Sequence, residues 1–593
     1  MRSSLFRSTA RGVLVALVLS GAVAAGSAFA QDAGVQAAAP AAAASPDAMT
    51  NLIRLLVVRG TISQTDGDAL LSQAQSEAAT ARAAAVPPPP PPVPEGAVRV
   101  ARVPEAVRQQ IRDEIRADVM KQAADEGWVT KNQAAPEWTR RVRLYGDVRV
   151  RSESDLYART NSRGIIDFGR MNAQGPTDLR LNVVPLLNAT QDRVNRLKLR
   201  ARLGLDAQLH EGITVGLRLA TGDDNSPIAQ NASLGNGLVK RSIWLDTAFV
   251  KLQPKSWASF TFGRFDNPFN TTELLYDNEL RFDGVAAKVG FGGKDSAFSL
   301  TGGAFPLDFG NPDYPIKSSE KLNYPTKWLF AGELSWAGQP ADDLSLKASV
   351  GFHSFRNVQG KLSDPCNLDQ VDYCSTDGMA PVGLRKGNTV FTLRNPTASS
   401  SGISPELMGL KFKYDVLDIN LSARMALDDV VGARLSGNYV RNLGFRRRDI
   451  CSGLIEGLNG ASVPEAALVE PYNNYGSDGN ASGHICTVTN PTSFVGGNTG
   501  WLVNARLGHD LVDKQGSWSV FAEYRYLESD AVLDAFADSD FHLGGTNAKG
   551  YILGGEYGVR DGLSLGARWL SANQISGEAL AIDVLQLDLK ARF

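Results

Sequence analysis

Beyond its first thirty residues the chain never runs apolar for the roughly 20 residues a membrane-spanning helix needs, which excludes a helical membrane protein. Histidine is scarce: His210, His353, His484, His509 and His542 are the five present, and their spacing suits no zinc set. The four cysteines have no Cys or His neighbours that would complete a four-ligand site. Net charge is only -2, and neither a basic tail nor a nucleic-acid motif appears, so no nucleic-acid partner is expected. Nor is there a catalytic constellation. His353 has Ser354 beside it, but adjacent residues on a strand point to opposite faces. No metal, no cofactor and no catalytic residue are expected.

What the chain does have is alternation. Its last stretch, Leu585 to Phe593, places Leu585, Leu587, Leu589, Ala591 and Phe593 on one face of an extended strand. Gln586, Asp588, Lys590 and Arg592 fall on the other. The same pattern recurs many times upstream, between short turns and long polar loops. A closed barrel with one face toward lipid and the other toward water needs that pattern, and a bilayer permits no open sheet edge. The overall 43% hydrophobic content is mild because barrel strands spend only every second residue on lipid. The expectation is an all-β, transmembrane antiparallel β-barrel of about sixteen strands with a small N-terminal periplasmic helical segment, bounded by outer-membrane lipid. Phe593, at its end, is expected to be the terminal assembly signal read by the barrel assembly machinery.

The front of the chain has a different grammar. Arg2, Arg7 and Arg11, an apolar run from Val13 to about Gly26, and Ala28-Phe29-Ala30 make residues 1–30 a secretory signal peptide. Residues 31–86 are Ala-rich, with helical patterns at Asn51 to Val58 and Asp68 to Ala85. Residues 87–103 begin with consecutive prolines, Pro87 to Pro92, a stiff polyproline spacer. Residues 104–137 hold a further helix with Val107, Ile111, Ile115 and Val119 on one stripe. That stripe suits self-association or packing on the barrel, and equally an isolated helix over the periplasmic mouth.

The barrel is expected over residues 138–593. Its strands are read at Val142 to Glu153, Asn195 to His210, Ile213 to Thr221, Ser242 to Pro254, Trp257 to Phe265, Arg281 to Phe291, Ser296 to Phe305 and Lys327 to Trp336. They continue at Asp343 to Phe355, Glu406 to Leu427, Val430 to Arg441, Gly500 to His509, Ser517 to Leu527, Ala548 to Gly558, Leu563 to Leu570 and Ala581 to Phe593. The apolar phase of Glu406 to Leu427 flips between Val416 and Leu417. One long bulged strand keeps the number even and both ends periplasmic, whereas two strands would give seventeen. Trp244, Trp257, Trp328, Trp336, Trp501, Trp518, Tyr524, Tyr526 and Trp569 near strand ends suit interfacial girdles or ordinary cross-strand packing. One of the longest loops, about 357–405 and 443–499, is expected to fold into the lumen.

The run Trp138-Thr139-Arg140-Arg141-Val142-Arg143-Leu144-Tyr145-Gly146-Asp147-Val148-Arg149-Val150-Arg151 resembles the opening of the family often called putative porins. The strand from Asn195 to Gly204, the segment Gly216 to Gly222, Gly263-Arg264-Phe265-Asp266-Asn267-Pro268-Phe269 and Leu275 to Leu280 are similar to that family's following segments. The resemblance implies an outer-membrane pore and supplies no substrate. Passive diffusion of small hydrophilic solutes is then the expected function, with a homotrimer by analogy to porins of this size. The competing expectation is a loop-plugged barrel whose N-terminal helices and proline spacer tether periplasmic partners or envelope layers.

Alternation turns Arg143, Arg149, Arg151, Arg196, Lys198, Arg200, Arg202, Arg218, Lys288, Arg424, Arg434, Arg506, Arg525 and Arg568 toward the lumen. Fewer carboxylates share that face: Asp147, Glu153, Glu333, Glu523, Glu556 and Asp588. A cationic lining favours anions, so a mild anion preference is expected, with Arg196, Lys198, Arg200 and Arg202 as the main ladder. The alternative has equal weight: loop carboxylates such as Asp277, Glu279 and Asp283 pair with these arginines and hold a loop against the wall.

Secretion makes disulfides the expected state of Cys366, Cys374, Cys451 and Cys486. Of the three possible pairings, 366 with 374 and 451 with 486 would staple each loop to itself. Asp534, Asp538 and Asp540 could hold calcium, but without a Gly-containing calcium loop a solvated acidic loop is the expectation.

Overall fold

Strands whose side chains alternate between leucine and arginine bury one set only by closing on themselves, and this chain does so. The computed structural model describes residues 141–178, 184–223, 226–293, 296–397, 405–451, 471–475 and 494–593. The expected signal peptide, helical segments and proline spacer lie outside the described residues, as do Cys486 and the side chain of Cys451.

The barrel strands are β1 (Val142–Tyr157), β2 (Arg193–His210), β3 (Ile213–Gly222), β4 (Ser242–Lys255), β5 (Ala258–Asp266), β6 (Arg281–Gly292), β7 (Ser296–Asp308) and β8 (Lys327–Ala341). They continue as β9 (Leu344–Arg356), β10 (Tyr414–Ala426), β11 (Val431–Asn442), β12 (Thr499–His509), β13 (Trp518–Leu527), β14 (Ala548–Arg560), β15 (Leu563–Gln574) and β16 (Ala581–Arg592). Each pairs antiparallel with its sequence neighbour, and β16 returns to β1, closing a sixteen-stranded barrel. Val148, on β1, stands opposite Ala591 on β16 and Ala201 on β2. The final residue completes the seam: the Gly146 N–H donates to the Phe593 carbonyl at 3.0 Å and the Phe593 N–H to the Gly146 carbonyl at 3.1 Å.

Leu144, Leu203, Leu300, Leu421, Leu435 and Leu587 on the outer face are 47–61% exposed. In water such a band would aggregate; hydrocarbon is its natural solvent. Trp244, Trp501, Tyr524 and Trp569 are also outward, and Trp501 stacks on Tyr524 at 5.5 Å and on Tyr526 at 6.2 Å. Turns at one end are short. Gly212, at φ +74°, makes the β2–β3 turn where a Cβ would lie 2.5 Å from the Gln253 carbonyl oxygen. Long loops gather at the other end, and several strands run past their expected ends there, β1 reaching Tyr157 and β15 reaching Gln574.

The stretch Glu406 to Leu427 is not one bulged strand. Pro405–Glu406 and Met408–Leu410 pair with loop segments, and only Tyr414–Ala426 joins the barrel. The phase flip has a packing cause: Tyr414 and Val416 point inward, fully buried, with Asp418 following on the same face, while Leu421 faces outward. Apolar residues are tolerated inside because loops fill that part of the lumen. Phe282, Phe305, Leu329, Phe355, Val416, Val440, Leu502 and Leu527 of the wall form one core with Leu274 and Leu275 from loop 267–280 and Val532 and Leu533 from loop 528–547. The long loop 357–413 adds Leu384, Val390, Met408 and Leu410 to it. A second, smaller core, Leu362, Met379, Phe391, Leu393 and Leu407, holds that loop together.

Candidate functional site

The cationic residues expected inside are brought together mainly on β1, β2 and β16, in rows set by register. Lys590, Arg149 and Arg200 stand side by side across β16, β1 and β2. One row on, the order is Asp588, Arg151, Lys198, and the next is Gln586, Glu153, Arg196. On the short-turn side Arg592, Asp147 and Arg202 share a row. Like charges directly opposite repel, so such a wall needs counter-charge.

Part of that counter-charge is built into the wall. Asp147 binds Arg200 at 2.8 Å and Arg202 at 2.6 Å. Glu153 binds Lys198 at 2.6 Å and Arg196 at 3.1 Å, and Asp155 also contacts Arg196. Arg151 takes Asp588 at 2.7 Å, and Lys590 takes Glu556 at 2.9 Å.

The rest comes from loops. Glu279 reaches Arg149 at 3.3 Å and Arg200 at 2.8 Å, while Asp540 reaches Arg151 at 2.8 Å and Arg568 at 3.3 Å. Arg525 on β13 gathers Glu273 at 2.6 Å together with Glu523 and Asp538. Burial would raise the Glu279 and Asp540 carboxyls, but the neighbouring guanidiniums overcome it, lowering Glu279 and holding Asp540 well below the usual range. Asp534, Asp538 and Asp540 are therefore not a solvated acidic loop: the first two are buried, Asp540 is half-buried, and Asp538 and Asp540 anchor loop 528–547 on the wall. Among the described residues no carboxylate, His and Cys group is arranged to hold a metal ion.

Of the three carboxylates expected to pair with these arginines from a loop, Glu279 pairs with the ladder, whereas Asp283 lies on β6 and pairs with Arg264 at 3.0 Å. Asp277 instead accepts the backbone N–H groups of Glu279 at 2.7 Å and Ser539 at 2.8 Å. The remaining cations lie elsewhere: Arg424 and Arg434 share Asp510, each at 2.7 Å, and Arg506 lies over the Phe521 ring at 5.0 Å. Arg143 lies over the Tyr145 ring at 5.4 Å.

Sequence reasoning missed a second cluster. Arg218 binds Asp246 at 2.5 Å and Asp266 at 2.6 Å, and buried Arg281 binds the same two carboxylates at 3.3 and 3.1 Å. Arg281 opens its strand, where alternation gives no face, although its charge beside the run Asp277 to Leu280 was a usable signal. Arg218, Arg281 and Asp266, with Arg202, Asp277 and Asn278, line a cavity of about 300 Å³.

His353 and Ser354 are not brought together. His353 is fully buried, its Nδ1 is 3.1 Å from the Tyr276 hydroxyl, and Ser354 turns away to Asp415 at 2.5 Å. Cys366 and Cys374 form a disulfide within loop 357–413, as expected; a pairing of Cys451 with Cys486 lies outside the described residues.

A sequence profile described as putative porin matches residues 46–593. No curated protein matches the chain significantly. Among solved structures it is similar to the outer membrane channel DcaP of Acinetobacter baumannii, at 11% identity and a TM-score of 0.33, over 76% of this chain and 97% of that one. It is similar too to OprB of Pseudomonas putida, at 10% identity and a TM-score of 0.39, over 77% and 95%. A Salmonella typhi OmpF in complex with daunomycin matches at 10% identity and a TM-score of 0.35, over 76% and 97%. The family match carries the assignment: the chain belongs to the putative porin family, and its barrel is an outer-membrane channel.

Proposed function

We propose that the barrel passes small hydrophilic solutes by passive, non-enzymatic diffusion, with a mild preference for anions. The observation that carries the preference is the sharing of counter-ions on one wall. Arg149, Arg151, Arg196, Lys198, Arg200, Arg202 and Arg568 are seven cations, and Asp147, Glu153, Asp155, Glu279, Asp540 and Asp588 are the six carboxylates they share. A surplus of one cation in a narrow aqueous lumen favours anions modestly. The short-turn end and the N-terminal segment belong to the periplasm in this reading, and the native assembly is a homotrimer. Single-channel recording of refolded protein in a KCl gradient tests it: the reversal potential is expected on the anion side, and a cation-side value overturns the preference.

A second reading has one specific observation behind it, the two loops that meet across the lumen. Plugged by them, the barrel would serve as a tether for periplasmic partners. Silence from correctly folded protein, together with loss of envelope attachment on deleting residues 31–104, would favour the tether over the channel.

A further inference from the structure

The two acids that neutralise this cationic wall from the lumen belong to different loops, and the loops are hydrogen-bonded to each other. The Asp277 N–H donates to the Phe536 carbonyl at 2.8 Å, the Asp538 N–H to the Glu273 carbonyl at 3.2 Å, and the Ser539 N–H to Asp277 Oδ2 at 2.8 Å. Loops 267–280 and 528–547 thus form a single strut, with Glu279 at one docking point and Asp540 at the other. The docking points themselves are regularly spaced. Arg149 and Arg151 are two residues apart on one face of β1, about 7 Å along the strand. Each carboxylate bridges two guanidiniums from different strands, Glu279 those of β1 and β2, Asp540 those of β1 and β15.

The wall beneath the strut is the feature to explain. Lys590, Arg149 and Arg200 in one row is an arrangement that repels itself unless an anion sits on it. The wall supplies Asp147 to Arg200 and Glu556 to Lys590, and Glu279 is the loop's share of that counter-charge, held by two arginines and by the Gln230 N–H at 2.8 Å. None of these contacts is covalent, and every one could be made by an oxyanion from solution. Guanidinium forks match the geometry of carboxylate, sulfate or phosphate better than that of a halide.

We infer that the strut is a self-inhibitory contact: Glu279 and Asp540 occupy, as the chain's own carboxylates, the arginine pairs that a small oxyanion in transit would take, and such an anion displaces them. The inference rests on the channel reading above and adds how the channel opens. Displacement exchanges one carboxylate-like ligand for another, so no guanidinium is left bare. Because Glu279 and Asp540 share one strut, both arginine pairs are uncovered in one step rather than one after the other.

The test uses the refolded full chain with sulfate as the oxyanion and chloride as the control at equal ionic strength. Hydrogen exchange of the Asp277 and Ser539 amides is expected to accelerate about tenfold in sulfate while barrel-strand amides keep their protection. Equal exchange in the two salts overturns the inference. The variant Glu279→Gln with Asp540→Asn supplies a second reading in bilayers: conductance is expected to rise about twofold or more and the reversal potential to move further toward anions. Values equal to wild type, in a variant whose strand amides are protected normally, overturn it. The exchange measurement requires no conduction, so the two readings fail separately. A sulfate response in a silent protein supports the displaceable contact and overturns diffusion; conduction with sulfate-insensitive exchange overturns the strut inference alone.

Discussion

Asp277 and Phe536 meet across the lumen, the Asp277 N–H donating to the Phe536 carbonyl at 2.8 Å. Loop 267–280 leaves the wall after β5 and loop 528–547 after β13, eight places further round a ring of sixteen. Backbone hydrogen bonds between segments rooted on opposite walls turn two loops into a cross-brace. The brace needs an anchor at its β13 end, and Arg525 supplies it.

Replacing Arg525 with leucine removes the one guanidinium shared by Glu273, Glu523 and Asp538. Breaking a buried ion pair costs about 3–5 kcal/mol, because the remaining charges stay uncompensated. The strut should detach while the barrel stays closed, since β13 keeps its backbone ladders to β12 and β14. Amides of residues 536–540 are expected to exchange faster. Wild-type protection in the Arg525→Leu protein would show that the anchor lies elsewhere.

The strut should also respond to pH, with a sign set by its own carboxylates. Burial pushes Asp534 up to about 7 and Asp530 up to about 6; burial, then repulsion from Glu273, pushes Asp538 up to about 6. A raised carboxylate stabilises the docked loop fully below the free value of about 3.9, and that stabilisation is lost as pH rises through the docked value. His542, depressed by burial and then by Lys386, works the other way, losing stability as pH falls below the ordinary imidazole range. Lys386, lowered to about 7 by burial, adds stability only above that value. Between pH 6 and 7 the carboxylates therefore set the sign, and the loop should loosen by about 1–3 kcal/mol. Amide exchange at 530–540, corrected for its intrinsic pH dependence, should speed up across that window in the wild type. Asp534→Asn should flatten the response; an unchanged slope would rule out Asp534 as a contributor.

Much of this was legible in the sequence because barrels spend their information on a period of two. The stretch Leu585 to Arg592 shows both faces, and from Leu585 to Leu589 the structure alternates exposed and buried as expected. Where loops enter, the period loses meaning. Val416 breaks phase because it packs on a loop rather than on lipid or water, and no local signal says which. Asp538 and Asp540 look like solvent-exposed acids until Arg525, Arg151 and Arg568 are placed beside them. Those partners are up to 389 residues away in the chain, so only the fold brings them together. The choice of 267–280 as an inserted loop was hidden for a similar reason: it is far shorter than the two loops whose length drew attention.

The disulfide between Cys366 and Cys374 spans eight residues inside loop 357–413, beside the small core of Leu362, Met379, Phe391, Leu393 and Leu407. Closing so short a loop stabilises by about 2–3 kcal/mol, and only locally, because no barrel strand lies within it. In the Cys366→Ser, Cys374→Ser protein, protease cleavage between 361 and 397 should accelerate several-fold. Heat-resistant migration of the barrel should not change. The buried Arg394–Asp377 pair, at 2.5 Å, should keep the loop partly ordered. Loss of the folded barrel on removing the disulfide would mean that this loop nucleates more than itself.

The closing seam makes the last prediction, because Gly146 and Phe593 depend on each other. A Cβ on Gly146 would lie 2.5 Å from the Arg202 carbonyl oxygen and 2.6 Å from the Phe593 ring. The ring can swing away, since Phe593 is largely exposed, but the carbonyl belongs to the β2 ladder and cannot. Gly146→Ala should therefore pry β1 from its neighbours and lower the yield of heat-resistant barrel more than Phe593→Ala, which clears the ring and keeps the backbone pair. Deleting Phe593 outright removes both terminal hydrogen bonds, worth about 0.5–1.5 kcal/mol each, and should fall between the two in vitro. Refolding into detergent separates this seam effect from any role that the terminal aromatic has only in cells. If Phe593→Ala refolds like wild type in detergent yet fails to assemble in cells, the ring serves recognition and the backbone serves closure. Equal refolding of Gly146→Ala and wild type would show that the seam has slack the backbone distances do not suggest.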